Sequence, residues 1–502
     1  MEGLRRYFCV ALLFGTLLAA SGASGANYAT SGLTAVSGAS PFASCTVGAA
    51  PGPNPGTNVL NSEVEPWVDV NPQDPENIVA VYQQDRWSNG GAHGLVNSVT
   101  HDGGTTWAQT WAHFSTCAGG TPENGGNYDR ASDPWLSFAP NGDLHEISLS
   151  ASADLLTSAV LVSKSEDGGE TWSEPTTLIS ERTPFNFNDK ESLTADPTDS
   201  NFVYAVWDRS RHPGLEHPTF NVLHSFAFRS DIMFSRTTDG GQTWEPAHAI
   251  FQPKANLFTI GNQIAVLPDG TLVDAFFLIR GSGLQPSLNQ YREAVIRSTD
   301  KGVTWSQPII VNRHVVAPVT DPDTGQPHRT GDIIPDVAVD RASGDLYLAW
   351  QDGRFTGRAA TALSRSTDGG LTWSRPIKVN QTPLLGNLND QAFTPSVHVA
   401  DDGTVGVSYY DFRNNTAGGG TDTDHWLVHC HAATEDCSLA SSWEAETRVT
   451  AASFDSRLAP VARGFFLGDY VGLSSIGDTF TPLFTQTTAT DPANEYYAEV
   501  GP

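Results

Sequence analysis

Three charged side chains stand in a row at Asp189-Lys190-Glu191, where a strand is expected to begin. Two carboxylates held that close can split their proton affinities and so supply an acid and a base within one site. Near the other end of the chain, Gly468-Asp469-Tyr470 sets a phenol beside a carboxylate, as an activated tyrosine nucleophile would require. Arginines follow aspartates at Asp85-Arg86, Asp208-Arg209, Asp352-Gly-Arg354 and Asp411-Phe-Arg413. Several guanidinium forks around one point would grip a ligand carboxylate bidentately. Each group also has a structural reading: ion pairs around Lys190, a buried hydrogen-bonded Tyr470, and arginines that clamp neighbouring units. A pair copied many times fits clamping better than catalysis, since one site needs one apparatus.

What must position these residues is a repeat. The pattern [ST]-x-D-x-G-x-T-W occurs at Thr100–Trp107, Ser165–Trp172, Thr237–Trp244, Ser298–Trp305 and Ser366–Trp373, at intervals of 61 to 72 residues. Asp followed by a Gly-rich turn is a hairpin signal, and the closing Trp supplies a large apolar body to pack beneath it. Nothing in the pattern activates a nucleophile. Between the copies run pairs of apolar, partly alternating segments with turn residues between them. They form units at Glu65 to Arg86, Asp133 to Ser150, Asp189 to Arg209, Asn262 to Arg280, Asp336 to Arg354, Pro395 to Arg413 and Asp469 to Thr487. A repeat of this length predicts an all-β propeller of four-stranded antiparallel blades, seven by this count, with six as the alternative.

In that architecture each repeated motif lies in the turn between the third and fourth strands, on the outer rim. The interval Trp426 to Thr450 replaces the motif with the Cys430/Cys437 loop. The last unit ends in a third strand at Tyr496-Tyr-Ala-Glu-Val, so its fourth strand must come from the amino-terminal segment 27–62, around Phe42 to Val47. The starts of inner strands and the ends of second strands converge on one face near the axis, which gathers Asp189, Glu191, Tyr470, Arg86, Arg209, Arg354 and Arg413. Long loops, among them 210–230, 312–332 and 414–425, are placed on the same face as walls of a cleft. The loop histidines His212, His217, His224, His314 and His328 read as surface residues. Asp321-Pro-Asp323-Thr-Gly325 has oxygens for a structural calcium but lacks the full calcium-loop spacing, and no other cofactor is expected.

The chain of 502 residues carries 56 acidic and 28 basic side chains, a formal charge of −28. Such a surface argues against nucleic acid and against anionic membranes as partners. Arg5 and Arg6, the apolar run Tyr7 to Ala20 and the small residues Ser24-Gly25-Ala26 read as a secretory signal over 1–26, which implies a secreted or periplasmic protein, taken as a monomer. Cys45, Cys117, Cys430 and Cys437 then permit two disulfides, and Cys430 with Cys437 would close a short loop.

The repeated motif resembles the Asp box of the sialidase, or BNR-repeat, proteins. That resemblance implies a propeller whose blades span 63–502 and a glycosidase acting on an acidic glycan. It also implies a tyrosine nucleophile matched by Tyr470, with Asp189 or Glu191 in the carboxylate roles. The family's early Arg-Ile-Pro motif has no counterpart, because the first inner strand reads Glu65-Pro-Trp-Val. Three functions follow: an exo-acting, sialidase-type hydrolase of terminal acidic sugars; another carbohydrate-active propeller, such as a lyase of uronic-acid polysaccharides; and a non-catalytic propeller that binds glycan or protein.

Overall fold

The computed structural model describes residues 28–211, 228–281, 289–443 and 446–502. The expected signal segment and His212, His217 and His224 lie outside the described residues. The regular secondary structure described is nearly all β-strand, mostly in antiparallel four-stranded units. The Glu65 unit runs Glu63–Val70, Ile78–Arg86, Ala92–Thr100 and Ala108–Thr110 from the inside outward. The Asp133 unit follows the same order from Arg130–Phe138 to Thr176–Arg182, and a pairing of Ala92 with Ala131 joins the two edge to edge. The Asp189, Asn262, Asp336 and Pro395 units repeat the pattern.

The last unit is completed from the other end of the chain. Thr34–Ala35, rather than Phe42 to Val47, pairs with Tyr496 and Tyr497 as its outer strand. Phe42 is instead buried against Tyr82, Val96 and Ala118, beside the Cys45–Cys117 disulfide. The second disulfide joins Cys430 to Cys437. Successive inner strands lie against one another in a closed cycle, and the Gly472–Ile476 strand returns to Glu63–Val70. Separate apolar clusters fill the spaces between units, and Val36, Val68, Ile78, Leu483 and Tyr497 fill the one between last and first. The architecture is that of a β-propeller.

The repeated motif closes on itself. Asp102 accepts from Thr106 N at 2.8 Å, Thr106 Oγ1 at 2.7 Å and Thr100 Oγ1 at 2.7 Å, and the other four copies repeat this set. In the five units that carry the motif, the third strand leads into it and the fourth leaves it, as expected. The glycine at the fifth position of each copy faces the preceding unit: a Cβ at Gly104 would meet Tyr497, at Gly169 Val79 and Val99, at Gly241 His145, at Gly302 Phe234 and at Gly370 Val273. The box is therefore a joint between units as well as a turn.

Two outcomes follow. Gly302 has φ +88° and a Cβ there would stand 2.5 Å from Phe234 Cζ, so Gly302→Ala should lower unfolding stability by about 2 kcal/mol or more, read by urea denaturation. Glu146 is fully buried, accepts from Asn97 alone among the described residues, at 2.9 Å, and burial pushes its pKa up to about 8. A carboxyl raised above its unfolded value of roughly 4.3 favours folding at low pH and loses that contribution as pH climbs through the folded value. Glu146→Gln should therefore shrink the drop in thermal midpoint between pH 5 and pH 9, and an unchanged drop would count against this account.

Candidate functional site

The inner strands share a local irregularity that aims side chains at the axis. Each of five carries a register shift at its inner end, between Val64 and Trp67, Ser132 and Trp135, Asp189 and Ser192, Ile260 and Gln263, and Phe393 and Ser396. Within these bulges Glu65, Asp133, Lys190, Gly261 and Thr394 take positive φ, from +49° to +76°. A left-handed residue held by four units at non-glycine positions is costly, by about 1–3 kcal/mol each, and such strain gathers at functional sites. The first three of these residues are charged, and they meet.

Lys190 Nζ lies 3.7 Å from Glu65 Oε1 and 3.8 Å from Asp133 Oδ1. It also stands 4.1 Å from the centre of the Tyr470 ring, a cation–π contact in a buried setting. Asp469, just ahead of the last inner strand, forms a bidentate pair with Arg329 and its backbone N–H donates to Glu65 Oε1 at 3.4 Å. Arg329 arrives from the excursion Pro327–Arg329, which pairs in parallel with Phe465–Phe466 above the axis. Arg86 and Arg329 stack on the Phe466 ring at 5.1 and 4.2 Å. Trp67 and Trp135, stacked at 3.5 Å, make the floor with Tyr470.

Burial and mutual charge set different protonation states within this cluster. Burial pushes Glu65 up to about 8, with the charges of Asp133 and Asp469 adding to it and Lys190 opposing. Asp189 rises to about 7 for the same cause, reinforced by Asp133. Burial also opposes ionisation of Asp133 and Asp469, yet Lys190 holds Asp133 below the usual carboxylate range, and Arg329 with Lys190 brings Asp469 down to about 2. Ionised and protonated carboxyls thus stand side by side, which is the separation an acid–base pair needs.

Of the residues singled out from sequence, Asp189, Glu191, Tyr470 and Arg86 come together here. Glu191 is buried, its pKa driven well up by burial and then by Asp133, with no hydrogen bond to either oxygen among the described residues. Tyr470 donates its hydroxyl to Pro134 O at 3.0 Å, and burial raises the phenol well above its ordinary value. The other arginines are engaged elsewhere by protein carboxylates. Arg209 pairs with Glu181, Arg354 with Asp352 at 2.8 Å, and Arg413 with Asp411 and Glu446 at 2.5 Å each. Asp352 and Asp411 also accept from the indoles of Trp350 and Trp426, at 2.7 and 2.9 Å.

Two expectations are corrected. His314 and His328 are buried, His314 bonded to Glu293 at 2.8 Å and His328 set among Phe393, Phe412 and Phe465. The Asp321 loop turns its oxygens to Arg457 and Thr421 at 2.5 Å, so a guanidinium sits where a calcium was considered. Arg329 was missed because it lies in a long loop outside the repeat; its neighbour His328 drew notice only as a histidine.

The fold is a β-propeller with five repeated hairpin motifs on its rim and a charged cluster at its axis. No family model matches the sequence. A xyloglucanase of Paenibacillus sp is 27% identical over 207 residues, covering 38% of this chain and 16% of that protein, so the match spans well under two thirds of its length. Among solved structures, similarity extends to a Hadza microbial sialidase, 17% identical, over 86% of this chain and 75% of that one, with a TM-score of 0.49. It extends also to the α-L-arabinanase of Penicillium chrysogenum complexed with arabinobiose, 12% identical, over 94% and 98%, with a TM-score of 0.47.

Removing the shared cation tests the cluster. Lys190→Met leaves Glu65 and Asp133 buried without it, and stability should fall by about 3–5 kcal/mol at pH 7 in denaturant titrations. The loss should be smaller at pH 5, where more of the carboxyl population is neutral.

Proposed function

We propose that this chain is a secreted glycoside hydrolase on a seven-bladed propeller, of sialidase type, acting at the axis on a terminal acidic sugar. The observation that carries the reading is the pairing of Asp133, held ionised, with Asp189, raised to about 7 so that it can carry a proton near neutrality, beside the same lysine. Glycosidic cleavage uses a carboxyl to protonate the leaving oxygen and, in most hydrolases, a carboxylate to act on the anomeric carbon or a water, a part that a tyrosine takes in sialidases. Asp189, part of whose surface is exposed, is the proton donor in this reading and Asp133 the carboxylate. Arg86, Lys190 and Arg329 supply the positive charge that would receive the sugar's own carboxylate.

The Tyr470 hydroxyl, bonded to a backbone carbonyl, is here a positioning group that steadies Lys190 through its ring; service as nucleophile requires it to leave Pro134. Seven blades is supported by the closed cycle of inner strands, and export by the amino-terminal run and the two disulfides. A second reading, hydrolysis of a neutral glycan, is favoured by the partial match to a xyloglucanase.

Purified protein should release the fluorophore from a fluorogenic sialoside, and arabinofuranoside and xyloglucan oligosaccharides serve as comparisons. Asp133→Asn and Asp189→Asn should each lower kcat by about 10²-fold or more. Tyr470→Phe should retain most turnover if the ring is what matters, and a loss equal to that of Asp133→Asn would restore the tyrosine as nucleophile. Turnover of a neutral substrate alone would support the second reading, and no turnover of any would leave a binding propeller.

A further inference from the structure

Away from the axis, a cleft of about 250 Å³ opens on the rim between the Glu65 and Asp133 units. It is lined by Trp111, Trp172, Gln109, Thr110, His113 and Glu170. Trp172 is the closing residue of the second Asp box, partly buried, with its indole N–H donating to Thr110 Oγ1 at 3.1 Å. Trp111 is 36% exposed, an unusual position for so large an apolar side chain. It is braced from behind: Phe42 meets it edge-on at 5.7 Å, and the Cys45–Cys117 disulfide ties the Phe42 segment to the loop that follows Trp111. A braced aromatic beside a second indole is a stacking platform fixed before any ligand arrives, which lowers the ordering cost of binding.

The polar lining narrows the ligand. His113 is bonded to Glu174 at 2.9 Å, and Glu170 pairs with His101 at 3.3 Å. Acceptors of this kind suit the hydroxyls of a sugar whose C–H face lies on an indole. The Glu170 carboxylate in the lining, with Glu174 behind His113 and a formal charge of −28 on the chain, disfavours an anionic ligand. The volume lies below the roughly 300 Å³ at which drug-sized pockets begin, and suits one sugar unit of a longer chain.

We propose that this rim cleft is a non-catalytic binding site for a neutral polysaccharide, with Trp111 as its stacking residue. It holds a glycan chain at the edge of the propeller, apart from the axial cluster, and does not rest on the axial reading. Since Trp111 is exposed and outside the axis, its replacement leaves the fold and any hydrolysis of small soluble substrates unchanged.

The test is affinity electrophoresis of the full chain in gels containing xyloglucan, arabinan or, as an anionic comparison, polygalacturonate. The wild type should be retarded by at least one neutral polysaccharide and not by polygalacturonate. Trp111→Ala should weaken that retardation about tenfold, the loss of one aromatic contact, and Trp111→Phe should restore part of it. Circular dichroism of each variant guards against misfolding. No retardation by either neutral polysaccharide, or equal retardation of Trp111→Ala, would overturn the proposal. Trp111-dependent retardation by polygalacturonate alone would overturn the assignment to neutral glycans.

Discussion

Thr34 and Ala35 hydrogen-bond to the strand at Tyr496 and Tyr497, and through them one end of the chain completes a sheet built from the other. Every unit has two apolar faces, each covered by a neighbour, so an open row would leave one face bare at each end. Val36 continues from the closing strand into the space shared with Val68, Ile78 and Leu483 and seals that last joint. Closure also makes the site. Glu65 belongs to the first unit and Asp469 to the last, and they meet only because the ring returns on itself.

The axis then concentrates charge under conditions hostile to it. Burying carboxylates is expensive unless cations accompany them, and the chain as a whole is short of cations. The structure answers with Lys190 from a bulge, Arg86 from a second strand and Arg329 from an excursion. These cations do not balance the carboxyls evenly, so near neutrality Glu65 keeps most of its proton and Asp189 about half, while Asp133 and Asp469 ionise. The bulges matter here because a left-handed residue turns the side chain that a regular strand would have sent between the sheets.

Much of the fold was legible because its signals are local. Each repeated rim motif is built from hydrogen bonds within eight residues, so its sequence alone specifies the turn. The axial cluster was legible where a residue opens an inner strand, as with Asp189, Glu191 and Tyr470, or ends a second strand, as with Arg86. Arg86, Arg209, Arg354 and Arg413 look alike in sequence, yet Glu181, Asp352, Asp411 and Glu446 engage three of them away from the axis. Which partner an arginine finds depends on the adjacent strand, and no spacing records that. Phe42 was placed in the closing strand because it is apolar and near the amino terminus; the space beside Tyr82 and the disulfide claimed it instead.

By itself the sequence determined the repeat, the hairpins, the strand order within each unit and the acidic balance, since these follow from backbone conformation and composition over short spans. Tertiary structure alone decided which charges share the axis, which of them keep a proton, that the Tyr470 hydroxyl faces a backbone carbonyl and that Trp111 stands open beside Trp172. Those outcomes depend on desolvation and on contacts between residues up to several hundred positions apart, and both come into being only when the ring closes.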